Sequence, residues 1–175
     1  MSPAGEPGEW VLLTYRMPRE PSTPRSAVWR QLRRLGVAQL SDGLVGLPAD
    51  ARTREQLEWI ANEVRAADGT AGVWLARPAS LAQERELASA MAAARAGEYQ
   101  ALRVEAEAAA RLGDADRARA LRRLRAELRR LRRRDFFPPP ERDAAIAAIN
   151  QLATSSASTT TSDAPVGAAQ EAVTS

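Results

Sequence analysis

The 175-residue sequence contains no cysteine and no histidine. Without thiols there is no disulfide, no thiolate metal site and no cysteine nucleophile. Without imidazole there is no histidine base, no Ser-His catalytic pair and no histidine metal ligand. Lysine is missing too, so all 25 basic residues are arginine. A GC-rich coding bias accounts for that, as it does for the abundant alanine; selection for the forked contacts of guanidinium with phosphate is the other reading. No apolar run approaches the roughly 20 residues that span a bilayer. The start, MSPAGEPGEW, lacks the basic-then-apolar order of a secretory signal. A cytoplasmic protein with no membrane partner, no metal and no cofactor is expected. Aromatic residues make up only 5% of the chain, and both phenylalanines are adjacent, at 136 and 137.

What the sequence does have is arginine, and it is unevenly placed. Residues 1–80 hold 10 Arg against 9 acids, and residues 81–110 hold 3 against 5. Residues 111–134 hold 11 Arg against 3 acids, and residues 135–175 hold 1 against 5. The overall formal charge of +3 therefore hides one strongly positive segment. Such a segment attracts phosphate.

The hydrophobic pattern divides the chain into elements. WVLLTYRM (10–17) is bulky and rich in strand formers. Ser22 or Thr23 with Pro24 opens a helix over 24–35, whose Val28, Leu32 and Leu35 share a face, and Gly36 ends it. VAQLSDGLVGLP (37–48) carries Asp42-Gly43, a two-residue turn between short strands. Thr53 and Gln56 have capping-box spacing ahead of a helix with Leu57, Ile60, Ala61 and Val64 on one face. Asp68-Gly69 breaks that helix, and GVWLARP (72–78) is the next strand. The order β-α-β-β-α-β predicts an α+β chain that begins with a ferredoxin-like antiparallel sheet over 9–79. Both helices would lie on one sheet face, leaving the other to be covered.

From Ser80 the pattern turns helical. A long helix runs to about Leu112, Gly113-Asp114 turns the chain, and Leu121, Leu124, Leu128 and Leu131 recur at the 3-4-3 spacing of a coiled-coil seam. An antiparallel helical hairpin follows, then a short closing helix over about 140–153 with Ile146, Ile149 and Leu152. The hairpin and closing helix make up 80–153. From Thr154 the Ser/Thr/Ala-rich tail, 154–175, has too little apolar mass to offset ordering and is expected to be disordered.

Two basic clusters are candidate phosphate contacts. Arg25, Arg30, Arg33 and Arg34 lie mostly opposite the apolar face of the 24–35 helix. Arg122, Arg123, Arg125, Arg129, Arg130, Arg132, Arg133 and Arg134 surround the leucine seam. Like charges this close repel along a helix and need a counter-charge. Glu98, Glu105 and Glu107 on the partner helix are one source; nucleic acid is the other. A solvated or salt-bridged face is the alternative for both clusters. Phe136 and Phe137 precede PPP, which stops the helix and stiffens an elbow. They read as a structural anchor that aims the basic arm, or as a platform for unpaired bases. The carboxylate pairs Glu84/Glu86, Glu105/Glu107 and Asp114/Asp116 are spaced by two, which points them apart on a helix, so no acid-base or metal pair emerges. No enzyme is expected.

The stretch WVLLTYRMPREPSTPRSAVWRQLRRLGVAQLSDGLVGLP resembles the opening of ChrB-type chromate-resistance regulators. DFFPPPERDAAIAAI is similar to the segment that closes their N-terminal region. The resemblance covers roughly residues 9–153. It implies a transcriptional regulator of a chromate-efflux operon. In that family a further C-terminal domain is associated with sensing; this sequence departs from the pattern by ending after the N-terminal part. A weaker likeness runs to PaaX-type regulators and Cas2-like ferredoxin folds. Cas2-like nucleases carry an aspartate at the end of the first strand, where this chain has Thr14-Tyr15-Arg16. The expected function is a DNA-associated regulatory or accessory protein linked to chromate resistance, with double-stranded DNA as partner and a homodimer as its assembly. The alternative is a non-catalytic interaction module partnering a separately encoded sensor domain.

Overall fold

The computed structural model describes residues 6–20 and 22–161. The chain runs β1 (Trp10–Arg16), α1 (Ser22–Leu35), β2 (Ala38–Ser41), β3 (Leu44–Pro48), α2 (Ala51–Ala66), β4 (Thr70–Ala76), α3 (Leu81–Ala109), α4 (Asp114–Arg132) and α5 (Glu141–Thr161). The four strands form one antiparallel sheet in the order β2-β3-β1-β4. That is the ferredoxin-like α+β topology the element order predicts. The chain falls into two compact units. One comprises residues up to Glu98 with Arg130–Pro139; the other comprises Tyr99–Arg129 and the chain from Pro140 onward.

In the first unit β1 is the organising strand. Val11 and Leu13 pair across the sheet with Leu47 and Val45, and all four are essentially inaccessible to solvent. They form one core with Val28 and Leu32 of α1 and with Leu57, Ile60, Ala61 and Val64 of α2. Alternation sends Trp10, Leu12 and Thr14 to the opposite face. Covering there is uneven. Trp10 is buried, with its indole N–H donating to Glu84 Oε1 at 3.4 Å and its ring stacked on Phe137. Thr14 and Trp74 stay exposed. Leu87 and Met91 of α3 also join the core.

Turn chemistry sets the register. Gly43 follows Asp42 at φ 72°, and a Cβ there would lie 2.4 Å from the Tyr15 carbonyl oxygen. Only glycine fits that hairpin turn. The cap of α2 differs from the Thr53/Gln56 expectation. Asp50 is the N-cap: its side chain accepts from Thr53 N–H at 2.6 Å, and Asp50 N–H donates to Thr53 Oγ1 at 2.9 Å. Thr53 is fully buried and donates to the Pro48 carbonyl, so it serves the first turn from inside the helix. An aspartate just ahead of the helix outcompetes it as the cap.

In the second unit α3 ends at Ala109, and α4 turns back after residues 110–113. Arg117 binds the Leu112 carbonyl and the Asp114 carboxylate, placing a cation at the C-terminal end of α3. Tyr99, Leu102, Ala106 and Ala109 of α3, Leu121 and Leu124 of α4, and Ala145, Ile149 and Leu152 of α5 are buried. Ile146, expected inside, is only half-buried, and Ala145 takes the inner position. Helix α5 continues to Thr161, past the expected end at 153. Thr154 Oγ1 donates to the Asn150 carbonyl at 3.1 Å, the back-bond that lets a hydroxyl residue remain helical. The rest of the expected tail, 162–175, lies outside the described residues.

Candidate nucleic-acid interface

Leucine spacing orients α4. Leu121, Leu124 and Leu131 are buried by the chain's own residues and Leu128 is half-buried. The seam is therefore occupied within one copy and is not free for a second one. The 3.6-residue period then sends the arginines outward. Arg122, Arg125, Arg129 and Arg132, spaced i, i+3, i+7 and i+10, form one exposed stripe. None of these four has a carboxylate partner among the described residues.

The internal counter-charges are fewer than the sequence allows. Glu105 Oε2 takes Arg123 at 2.7 Å. Glu98 takes Arg134 and, at 3.0 Å, Arg95. Glu107 does not reach the basic arm: it pairs with Arg103 one turn away on its own helix, at 2.6 Å. A partner four residues away is already in reach without ordering a second helix.

In the first unit the two basic clusters that are far apart in sequence meet. Arg134 donates through Nη2 to Glu98 and through Nη1 to the Arg33 carbonyl at 3.3 Å. Gly36, at φ 73°, ends α1 there; a Cβ on it would sit 3.0 Å from the Arg134 carbonyl oxygen. Arg34 of α1 joins Arg130, Arg133 and Arg134 around a cavity of about 600 Å³. The fifth arginine of that cavity, Arg52, escaped the sequence reading. Its guanidinium lies 5.9 Å from the Phe136 ring centroid and donates weakly to the Arg133 carbonyl, at 3.5 Å. One signal existed. Arg52 stands in the first turn of α2, which holds no acid after the Asp50 cap. A cation there opposes the helix dipole and needs a reason.

The other proposed residues are placed apart. Arg33 lines a neighbouring cavity with Glu98, while Arg25 lines a shallow one beside Tyr15 and Asp42. Arg25 and Arg30 are exposed on α1 and take no part in the five-arginine cavity. Phe137 stacks on Trp10 with centroids 6.1 Å apart, and both phenylalanines pack against the core of the first unit. Among the described residues no three Asp or Glu side chains gather as a metal site. No described helix is long and apolar enough to cross a membrane.

A ferredoxin-like α+β protein with an arginine-rich helical arm is the class these features define. The family model described as Protein ChrB, N-terminal, matches residues 25–109. Protein ChrB of Cupriavidus metallidurans is 31% identical over 140 residues, covering 78% of this chain and 43% of that protein. The chain carries a ChrB-type N-terminal domain. It spans less than half the length of the curated relative it matches. No solved structure matches it.

Proposed function

We propose that this chain is a non-catalytic, DNA-associated regulatory or accessory protein of a chromate-resistance system, gripping the phosphate backbone through α4. The observation that carries the reading is the exposed stripe Arg122, Arg125, Arg129 and Arg132, which has no carboxylate partner among the described residues. Four like charges along about 15 Å of helix repel one another, and a row of phosphates offsets that repulsion. Guanidinium makes the forked contacts that phosphate oxygens accept. The likeness of its N-terminal domain to that of Protein ChrB supplies the chromate-resistance setting.

The test is binding of duplex DNA from the promoter upstream of its own gene, with and without chromate, over a range of salt. If the four stripe arginines meet phosphates, log affinity falls with log salt at a slope of about −3.6. Absent or salt-insensitive binding overturns the reading. It would leave an interaction module partnering a separate sensor domain, for which exposed Trp74 on β4, beside Thr14, is an available surface.

A further inference from the structure

The cavity lined by Arg34, Arg52, Arg130, Arg133 and Arg134 shares no residue with the outward stripe on α4. Its chemistry is different, because the charges converge on a concave space instead of following a convex helix face. No Asp or Glu lines it. Of the five arginines, only Arg134 has a carboxylate partner among the described residues, namely Glu98. Arg52 stands against the dipole of its own helix. Arg34, Arg52, Arg130 and Arg133 are exposed around its mouth, and like charges gathered this closely repel one another. The fold therefore concentrates positive potential that none of the cavity's own walls neutralises. A compact polyanion neutralises it, and about 600 Å³ falls within the range of small-ligand sites.

The cavity has an apolar extension. A groove of about 290 Å³ shares Arg34, Leu35 and Gln56 with it and continues to Trp59 and Ile60. Gln31 and the Glu55 carboxylate are also on its walls, so the acid lies on the stacking side and not among the cavity's arginines. Trp59 is 70% exposed, so a large indole face stands uncovered beside an apolar slot. Arg52, Gln56 and Trp59 are spaced i, i+4, i+7 along one face of α2, about 10 Å from end to end. Cations therefore lie at one end, an amide in the middle and a stacking surface at the other. Phosphates followed by a flat heteroaromatic ring fit that order.

We propose that this site binds a nucleoside polyphosphate, with its phosphates among Arg34, Arg52, Arg130 and Arg133 and its base against Trp59. The site is independent of the DNA-binding reading and stands if that reading fails.

The test is calorimetric titration of the full chain at about 0.15 M salt with ATP, GTP and inorganic tripolyphosphate. A saturable single site for at least one nucleotide is expected, with tripolyphosphate binding about tenfold more weakly because it has nothing to stack. Arg34→Gln with Arg52→Gln should weaken nucleotide binding at least about tenfold. Trp59→Ala should bring the nucleotide down to the affinity of tripolyphosphate. Arg122→Gln with Arg125→Gln, outside the cavity, should leave both ligands unchanged. Arg133→Gln, on a turn, gives the same reading as the double variant should that variant not fold. The proposal is overturned by no saturable binding up to millimolar nucleotide, by tripolyphosphate matching the nucleotides, or by equal losses in the cavity and stripe variants.

Discussion

The ring of Phe137 lies 6.1 Å from that of Trp10 and within 20° of parallel to it, joining a residue three positions beyond the arginine run to the first residue of β1. Phe136, its neighbour, lies beneath the Arg52 guanidinium. The chain's two phenylalanines thus hold the end of the basic segment against the first unit's core. Phe137→Ala removes the stack and exposes a Trp10 that is otherwise 2% accessible. The expected cost is about 2–3 kcal/mol, since Phe137 is only half-buried. Urea unfolding measures it, and a loss below about 0.5 kcal/mol would contradict the anchoring role.

Gly43→Ala should be costly for two reasons that act together. Its φ of 72° is a conformation in which a Cβ costs about 1–2 kcal/mol. That Cβ would also meet the Tyr15 carbonyl at 2.4 Å. Because Tyr15 N–H donates to the Gly43 carbonyl at 2.7 Å, the turn cannot relax without losing a hydrogen bond. A loss above about 2 kcal/mol is expected by thermal unfolding. Gly36→Ala, where the nearest atom is 3.0 Å away, should cost less.

Replacing Arg122, Arg125 and Arg129 together with glutamine should reduce the salt dependence of DNA binding without changing the fold. Three lost phosphate contacts lower the log-log slope by about 2.7. All three side chains are exposed, so the melting temperature should stay within about 2 °C of the parent. An unchanged slope would place the contacts elsewhere.

Leu124→Ala tests the second unit. Leu124 is completely buried, and truncation there should cost about 2–5 kcal/mol. Leu128→Ala, half-buried on the same helix, should cost distinctly less. Equal losses at the two positions would mean that the leucine spacing does not define the buried face of α4.

Alkaline pH should destabilise the fold partly through Tyr15. Burial raises the Tyr15 pKa above 10.0, and the nearby Asp42 carboxylate adds to it. A raised pKa means that the folded state keeps the phenol proton after the unfolded chain has released it. Stability is therefore unaffected by this group below pH 10 and declines as pH rises beyond that value. Without histidine, cysteine or lysine, few other side chains titrate between pH 6 and 9. Denaturant midpoints should be nearly flat over that range. Tyr15→Phe should then reduce the fall above pH 10, even with Tyr99 still present; an unaltered fall would exclude Tyr15 as a contributor.

Much of the fold was legible in the sequence because its punctuation is local. Asp42-Gly43, Gly36 and Asp68-Gly69 act within a few residues, and the core positions of α1 and α2 follow a 3.6-residue period. The α2 cap was misplaced because Thr53 and Asp50 both have cap chemistry, and only backbone position separates them. The pairing of Glu107 with Arg103 was missed because charge counting does not rank a neighbour on the same helix above one on the next. Arg52 was missed because its one signal, a cation opposing the dipole of its own helix, depends on α2 starting at Ala51, ahead of the Thr53 start the sequence suggested.

The residues alone determined the chemistry this protein lacks, the order of its elements and the fact that its positive charge is concentrated before Asp135. Those are properties of composition and short-range periodicity, which need no knowledge of distant neighbours. Only the tertiary structure decided which arginines are left without a carboxylate partner. Pairing depends on distances of a few ångströms between groups as far apart in the chain as Glu98 and Arg134, or Arg52 and Arg133. Folding brought Arg34, Arg52 and the 130–134 segment around one cavity, and no spacing rule along a single helix encodes that meeting.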